Sequence, residues 1–186
     1  MKLNKNQKRL IANSGLWAAY EGLTAAFLSA FALALGASNT VIGTLSAMPF
    51  VAAILAQIPG AKLLEYFKRK KVYITFSGIS RLLWLAIIIS PYLFARNPLI
   101  IIVITYFIIR LTEYTGDPAW ITTAADITPV KKRGILFGTR NIFLVVGMMI
   151  TSTLGAIYLD LFPKTSPHGF TTMFFIGILA GLYATV

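Results

Sequence analysis

Five ionisable side chains stand inside long apolar stretches of this 186-residue chain: Glu21, Arg81, Arg110, Glu113 and Asp117. Acids and guanidines spaced in this way can pair with one another, relay a proton or grip a charged solute. An Arg or Asp at the centre of a membrane helix costs about 2.5–3.5 kcal/mol, so five such groups facing lipid would cost on the order of 10 kcal/mol. They must face protein or water. At about 100° per residue, Arg110, Glu113 and Asp117 fall within about 60° of one another, and Tyr106 and Tyr114 widen the same polar face. Counted inward at about 1.5 Å per residue, Glu21 and Asp117 lie at similar depth. Glu21 is therefore expected to meet that stripe across a central cavity, also lined by Arg81, Tyr106 and Tyr114. There, a carboxylate near Arg110 could take or lose a proton as the cavity opened to either side. The static alternative pairs Arg110 with Glu113 and Arg81 with Glu21, merely fixing helix register.

The elements that must position these groups are six apolar stretches, at residues 14–35, 39–60, 72–94, 98–125, 135–159 and 170–186. Each is close to the roughly 20 residues a spanning helix needs, and none alternates with period two as a barrel strand would. The fold class is an all-α integral membrane protein, one six-helix bundle with connections too short to hold a soluble domain. Hydrophobic residues make up 57% of the chain and mean hydropathy is +0.76. Gly116, Asp117 and Pro118 interrupt the fourth span and predict a bend or local unwinding there. Ala18, Gly22, Ala26, Ala30 and Ala34, four apart, form a small-residue ridge for close helix approach. The sixth span reaches Val186 without a polar flank, which predicts that the chain continues or that a second chain completes it.

The net charge of +11 acquires meaning from its location. Thirteen of the 17 Lys and Arg residues fall in three clusters: Lys2, Lys5, Lys8 and Arg9; Lys62, Lys68, Arg69, Lys70 and Lys71; and Lys131, Lys132, Arg133 and Arg140. The opposite side carries Arg96 and Lys164. Basic loops stay in the cytoplasm, so both ends of this segment are expected there, in the cytoplasmic membrane. The clusters suit anionic lipid, worth about 1 kcal/mol per basic residue near the surface. Nucleic acid is not an expected partner, because no folded platform of base-reading side chains accompanies them. The start resembles a secretory signal, but Glu21 and the length of the apolar run argue against cleavage. The chain has no cysteine and a single histidine. No motif places a nucleophile beside His168, and no acid or histidine cluster has metal-ligand spacing, so neither an enzyme nor a metal or cofactor is expected. A channel would more naturally carry a polar filter segment between spans, and an assembly subunit needs no polar face on the fourth.

Three segments resemble the major facilitator superfamily of transporters. GASNTVIGTLSAMPFVAAILAQIPGAKLLEYFKRKK is similar to the family's second helix and following loop. Gly60 opens that loop, Glu65 is its acid, and Lys68, Arg69 and Lys70 are its basic group; Leu64 occupies the usual acid place and Lys68 that of a glycine. DITPVKKRGILFGTRN resembles the fourth-to-fifth connection in Asp126, Pro129, Arg133, Gly134, Gly138 and Arg140. The resemblance implies a cytoplasmic gate in which Asp126 or Glu65 pairs with these basic residues. Arg110, Glu113 and Gly116 are similar to a fourth-helix pattern of Arg, Gln and Gly whose Arg is tied to proton coupling, with Tyr114 replacing a glycine. The fifth-helix Gly-Pro signature of drug antiporters is missing around Gly147, Thr151, Ser152 and Gly155. What the resemblance implies is the amino-terminal half of a twelve-helix carrier, a three-plus-three inverted repeat. It would move a small solute by alternating access between itself and a second half. Glu21, Arg110, Glu113 and Asp117 are then the expected substrate or ion-coupling residues.

Overall fold

The computed structural model describes residues 5–94, 96–163 and 166–185. Lys2, Lys164 and Val186, which entered the charge and span reading, lie outside the described residues, as do the side chains of Lys5, Lys8 and Arg9. Among the described residues the chain is helical throughout: α1 (Lys5–Leu23), a 3-10 turn (Ala25–Phe27), α2 (Leu28–Ala34), α3 (Asn39–Tyr66), α4 (Arg69–Leu93), α5 (Pro98–Asp126), α6 (Val130–Leu159) and α7 (Pro167–Thr185). With α1 and α2 as one crossing, six runs are long and apolar enough to cross a membrane. The chain is an all-α multi-pass membrane protein.

Local chemistry sets the ends. Gly36, at φ +84°, closes α2. Its N–H donates to the Leu33 carbonyl and that of Ala37 to the Ala32 carbonyl, both at 2.9 Å, the paired bonds that a left-handed residue after a helix permits. Ser38 Oγ accepts from Val41 N–H at 3.4 Å and starts α3. Pro98 and Pro167 stand first in α5 and α7, where a missing N–H is harmless.

The expected disruption at Gly116, Asp117 and Pro118 does not occur, because α5 runs unbroken through them. Pro118 removes a donor, yet Thr115, Gly116 and Ala119 around it are buried, and packing holds the turn. The interruption lies instead in the first crossing, at Thr24 (φ −116°, ψ −80°). There the hydroxyl donates to the Tyr20 carbonyl at 2.5 Å, a back-bond that bends helices. Beyond this break the small-residue ridge changes face: Ala18 and Gly22 are buried, Ala26 and Ala30 exposed. Two further boundaries differ from expectation. Gly60 is inside α3 and opens no loop, while α6 begins at Val130, which puts Lys131, Lys132 and Arg133 on its first turn.

Lipid supplies no hydrophobic force between helices, so close backbone approach has to do that work. α1 lies between α6 and α7, and α5 between α3 and α4, while α4 packs on α7. A Cβ on Gly147 would come within 2.8 Å of Ala18, and one on Gly177 or Gly181 within 2.8 Å of Thr24 or Tyr20. On the other side of the bundle, a Cβ on Gly60 would sit 2.6 Å from the Thr115 carbonyl oxygen. Exchanging the first three crossings for the last three (α1 with α5, α3 with α6, α4 with α7) maps α1–α6 onto α5–α3, α1–α7 onto α5–α4, and α4–α7 onto itself. That is the three-plus-three repeat. α3 and α6 are the outer helices, with 17% and 6% of their apolar windows buried against 44% for α5. Away from the basic loops, Phe31, Trp84, Phe170 and Phe174 fill the centre, with Phe174 edge-on to Phe31 and Trp84 at 5.3 and 5.4 Å.

One substitution at two glycines separates helix propensity from packing. Gly60→Ala drives a methyl against a backbone oxygen and should cost about 1–3 kcal/mol, lowering the thermal midpoint in detergent. Gly15→Ala meets nothing within 4 Å and should gain about 0.5–1 kcal/mol from better helix propensity. Equal midpoints would contradict the Gly60 contact.

Candidate functional site

α1 and α5 are each gripped by their neighbours but do not pack closely on each other. Long side chains bridge the gap between them. Arg110 on α5 holds Glu21 on α1 through both carboxylate oxygens, Nη1 to Oε1 at 2.8 Å and Nη2 to Oε2 at 3.0 Å. Its Nη1 also donates to Glu113 Oε2 at 2.7 Å, and its Nε donates to the Tyr106 hydroxyl at 3.0 Å. From α4, Arg81 Nη1 donates to Glu113 Oε1 at 2.9 Å and to Ser80 Oγ at 2.6 Å. The same Glu113 oxygen accepts from the Tyr20 hydroxyl at 2.9 Å, and Tyr20 in turn accepts from Trp84 Nε1 at 2.6 Å. All four charged members are buried. Two guanidiniums and two carboxylates sum to zero, and bidentate, charge-assisted bonds replace the lost water.

This network floors a cavity of about 340 Å³. Its walls come from the early turns of α1, α4 and α6 and the late turns of α5, namely the end of the bundle that carries the basic clusters. They include Trp17, Tyr73, Tyr114, Asp117, Trp120 and Arg140. Toward the other end the floor rests on the aromatic core around Trp84, Phe31 and Phe174. The cavity is therefore blind within this bundle.

Glu21, Arg81, Arg110 and Glu113 meet directly. Asp117, one turn nearer the basic end, is exposed to the cavity and makes no ion pair among the described residues. Tyr114 lines the cavity. Tyr106, expected as a lining residue, is instead buried behind Arg110. The expected pair of Arg81 with Glu21 is replaced by Arg81 with Glu113, since what α1 turns toward Arg81 is the ring of Tyr20, 4.5 Å from the guanidinium carbon. Tyr20, Trp84 and Arg140 escaped sequence reasoning. The first adjoins Glu21, the second follows Arg81 by three, and the third is counted with a loop although it lies well inside α6, its guanidinium carbon 4.0 Å over the Trp120 ring. Among the described residues no three His, Cys, Asp or Glu side chains gather as a metal site would.

At the basic end, Arg69 at the start of α4 is ion-paired with Asp126 at the end of α5. Arg133 donates its Nε to the Ala125 and Thr128 carbonyls at 3.1 and 3.2 Å, capping α5 without contacting an acid. Glu65 is exposed and has no ion pair among the described residues, and Gly134 is exposed on the first turn of α6 with nothing near its Cα.

Residues 10–186 match the family model described as Major Facilitator Superfamily. No curated protein and no solved structure matches the chain significantly. A match over nearly the whole length, on a bundle of six membrane-length helices, places the chain in the major facilitator superfamily, a family of transporters.

Proposed function

We propose that the chain is one half of a secondary carrier that moves a small solute across the cytoplasmic membrane by alternating access, with its basic end in the cytoplasm. The observation that carries this reading is the neutral ion network at the bottom of a blind cavity. A solute reaching Glu21 and Arg110 has no route onward through this bundle, whose far half is filled by aromatic side chains. Passage then runs along a surface shared with a second six-helix bundle, and rocking of the two exposes the site to each side in turn. The same sealed core weighs against a channel through the bundle. An enzyme is disfavoured because His168 is exposed, bonded through Nδ1 to the Tyr92 hydroxyl, and is not among the residues lining the cavity.

Within the carrier, Arg110, Glu113 and Glu21 are the coupling residues and Asp117 the substrate contact. Among the described residues Glu113 is held by Arg81, Arg110 and Tyr20, whereas Glu21 is held by Arg110 alone. Protonating Glu21 would free one side of the Arg110 guanidinium, so Glu21 is the carboxylate best placed to exchange a proton. Arg69 with Asp126, supported by Arg133, is the cytoplasmic latch, with Gly60 as the close contact of α3 on α5. Glu65 and Gly134 remain as loop positions that a second half could engage.

Glu21→Gln should abolish solute-dependent proton entry into proteoliposomes, read with an internal pH dye, while solute exchange without a gradient persists. Full proton entry in the variant would sink the coupling assignment. Neutralising Arg110 leaves two buried carboxylates short of a partner, at about 3–5 kcal/mol. Arg110→Gln should therefore stop transport altogether, and the carrier assignment fails if uptake continues at the normal rate with membrane abundance unchanged.

The latch calls for a charge swap. Asp126→Asn should change stability by less than about 1 kcal/mol, as an exposed pair would, yet slow turnover severalfold. Combining Arg69→Asp with Asp126→Arg should restore the rate. A swap no better than either single change would remove the pair from the cycle.

A further inference from the structure

Six charged side chains line the cavity, three acids and three guanidiniums. Four of them pair with one another in the floor, where Arg81 Nε is nonetheless left without a hydrogen-bond partner among the described residues. The remaining two, Asp117 and Arg140, form no ion pair or side-chain hydrogen bond among the described residues, and Arg140 Nε is a buried donor with no partner. Both belong to one small region of wall. Trp120 lies three residues after Asp117 on α5, which makes the two neighbours on the helix surface, about 5–6 Å apart at Cβ. Arg140 reaches from α6 to lay its guanidinium over the Trp120 ring at 4.0 Å. Stacking fixes the plane of the guanidinium, and the terminal Nη1 and Nη2, which unlike Nε are not buried without a partner, are left to grip a planar anion.

We infer that this wall is the recognition site for a small zwitterion carrying an ammonium and a carboxylate on one short skeleton, the ammonium bound by Asp117 and the carboxylate by Arg140. The inference rests on the carrier reading and deepens it. In the open cavity, water serves both charges. Once the site closes, that water is lost, and a solute with one charge would strand either an acid or a guanidinium at the cost of an unpartnered buried ion. A dipolar solute satisfies both and leaves the neutral floor undisturbed. Trp17, Tyr73 and Tyr114 around the pair offer apolar faces with polar tips, suited to the carbon skeleton and to an ammonium over a ring.

The test is equilibrium binding to the intact protein in lipid nanodiscs, by calorimetry. The probes are L-leucine, L-phenylalanine and 4-aminobutyrate, with 3-methylbutylamine and 4-methylpentanoate as the single-charge counterparts of leucine. At least one zwitterion should bind, and more tightly than a single-charge analogue by about tenfold or more. Asp117→Asn should erase that advantage by weakening the zwitterion, while 4-methylpentanoate binds at least as tightly as before. Arg140→Gln should do so while leaving 3-methylbutylamine unchanged. Should either variant lose its thermal transition, Asp117→Glu and Arg140→Lys keep the charges and should keep the preference for the zwitterion.

Amine binding as tight as that of the zwitterion would mean a cation site, and carboxylate binding as tight would mean an anion site. Either overturns the inference, as does a failure of all three zwitterions to bind. Because binding is read without a gradient, zwitterion selectivity without transport in proteoliposomes would sink the carrier reading alone. Transport of a singly charged solute would sink the inference alone.

Discussion

Arg110 is the residue on which the arrangement of the first, third and fourth crossings depends. Its guanidinium touches a carboxylate on α1 and another on its own helix, and the second of these is shared with Arg81 of α4. Removing Arg110 strands Glu21, and removing Glu113 strands Arg81, in a medium that solvates charge poorly, at about 3–5 kcal/mol for each broken buried pair. The network also joins the two three-helix repeats, since α1 and α4 belong to the first and α5 to the second. α1 and α5 are equivalent under the internal repeat and are kept apart by their own neighbours. Side chains alone cross the space between them, and the cavity is what remains of that space on one side.

The two ends of the bundle are built on different principles. Near the basic end, helices touch through Ala18, Gly22, Gly60 and Gly147, and the close approach of α1 to α6 and of α5 to α3 leaves the gap between α1 and α5 open. At Thr24 the first crossing breaks, and past the break Leu28, Phe31 and Ala32 turn inward. Phe31 then meets Phe170 and Phe174, and the gap is filled with rings. One back-bonded threonine thus stands between a half with a cavity and a half filled by aromatic rings.

The site was legible in the sequence to the extent that the membrane forbids alternatives. Ionised groups in apolar helices have to find one another, so helical angle pointed the fourth-span stripe at Glu21, but the depth count set Glu21 level with Asp117 whereas it meets Arg110, deeper on the same helix. Which acid Arg81 takes depends on the rotation of α4 against α5, and that is set by contacts such as Gly116 on Phe76, which no local pattern contains. Pro118 is the converse case. Its local signal for a break is strong, and burial on both sides overrides it, while Thr24, an ordinary residue by propensity, carries the real interruption. Arg140 was misread for a third reason. It was counted with the basic cluster beside the loop although the expected span of 135–159 already contained it, and which face of α6 it occupies is set by how α6 packs on α1.

Charge inside a membrane protein can be sorted by whether it is already answered. Glu21, Glu113, Arg81 and Arg110 answer one another through short bonds and make the bundle possible whatever it carries. Asp117 and Arg140 stand one turn or so above that floor on the cavity wall, and neither has an ion pair among the described residues. Each is tolerable only while wet. Under the proposed alternating-access cycle, a cavity that dries on closing must either bring its two free charges together or admit something that separates them, and the stacking of Arg140 on Trp120 holds the guanidinium in place for the second course.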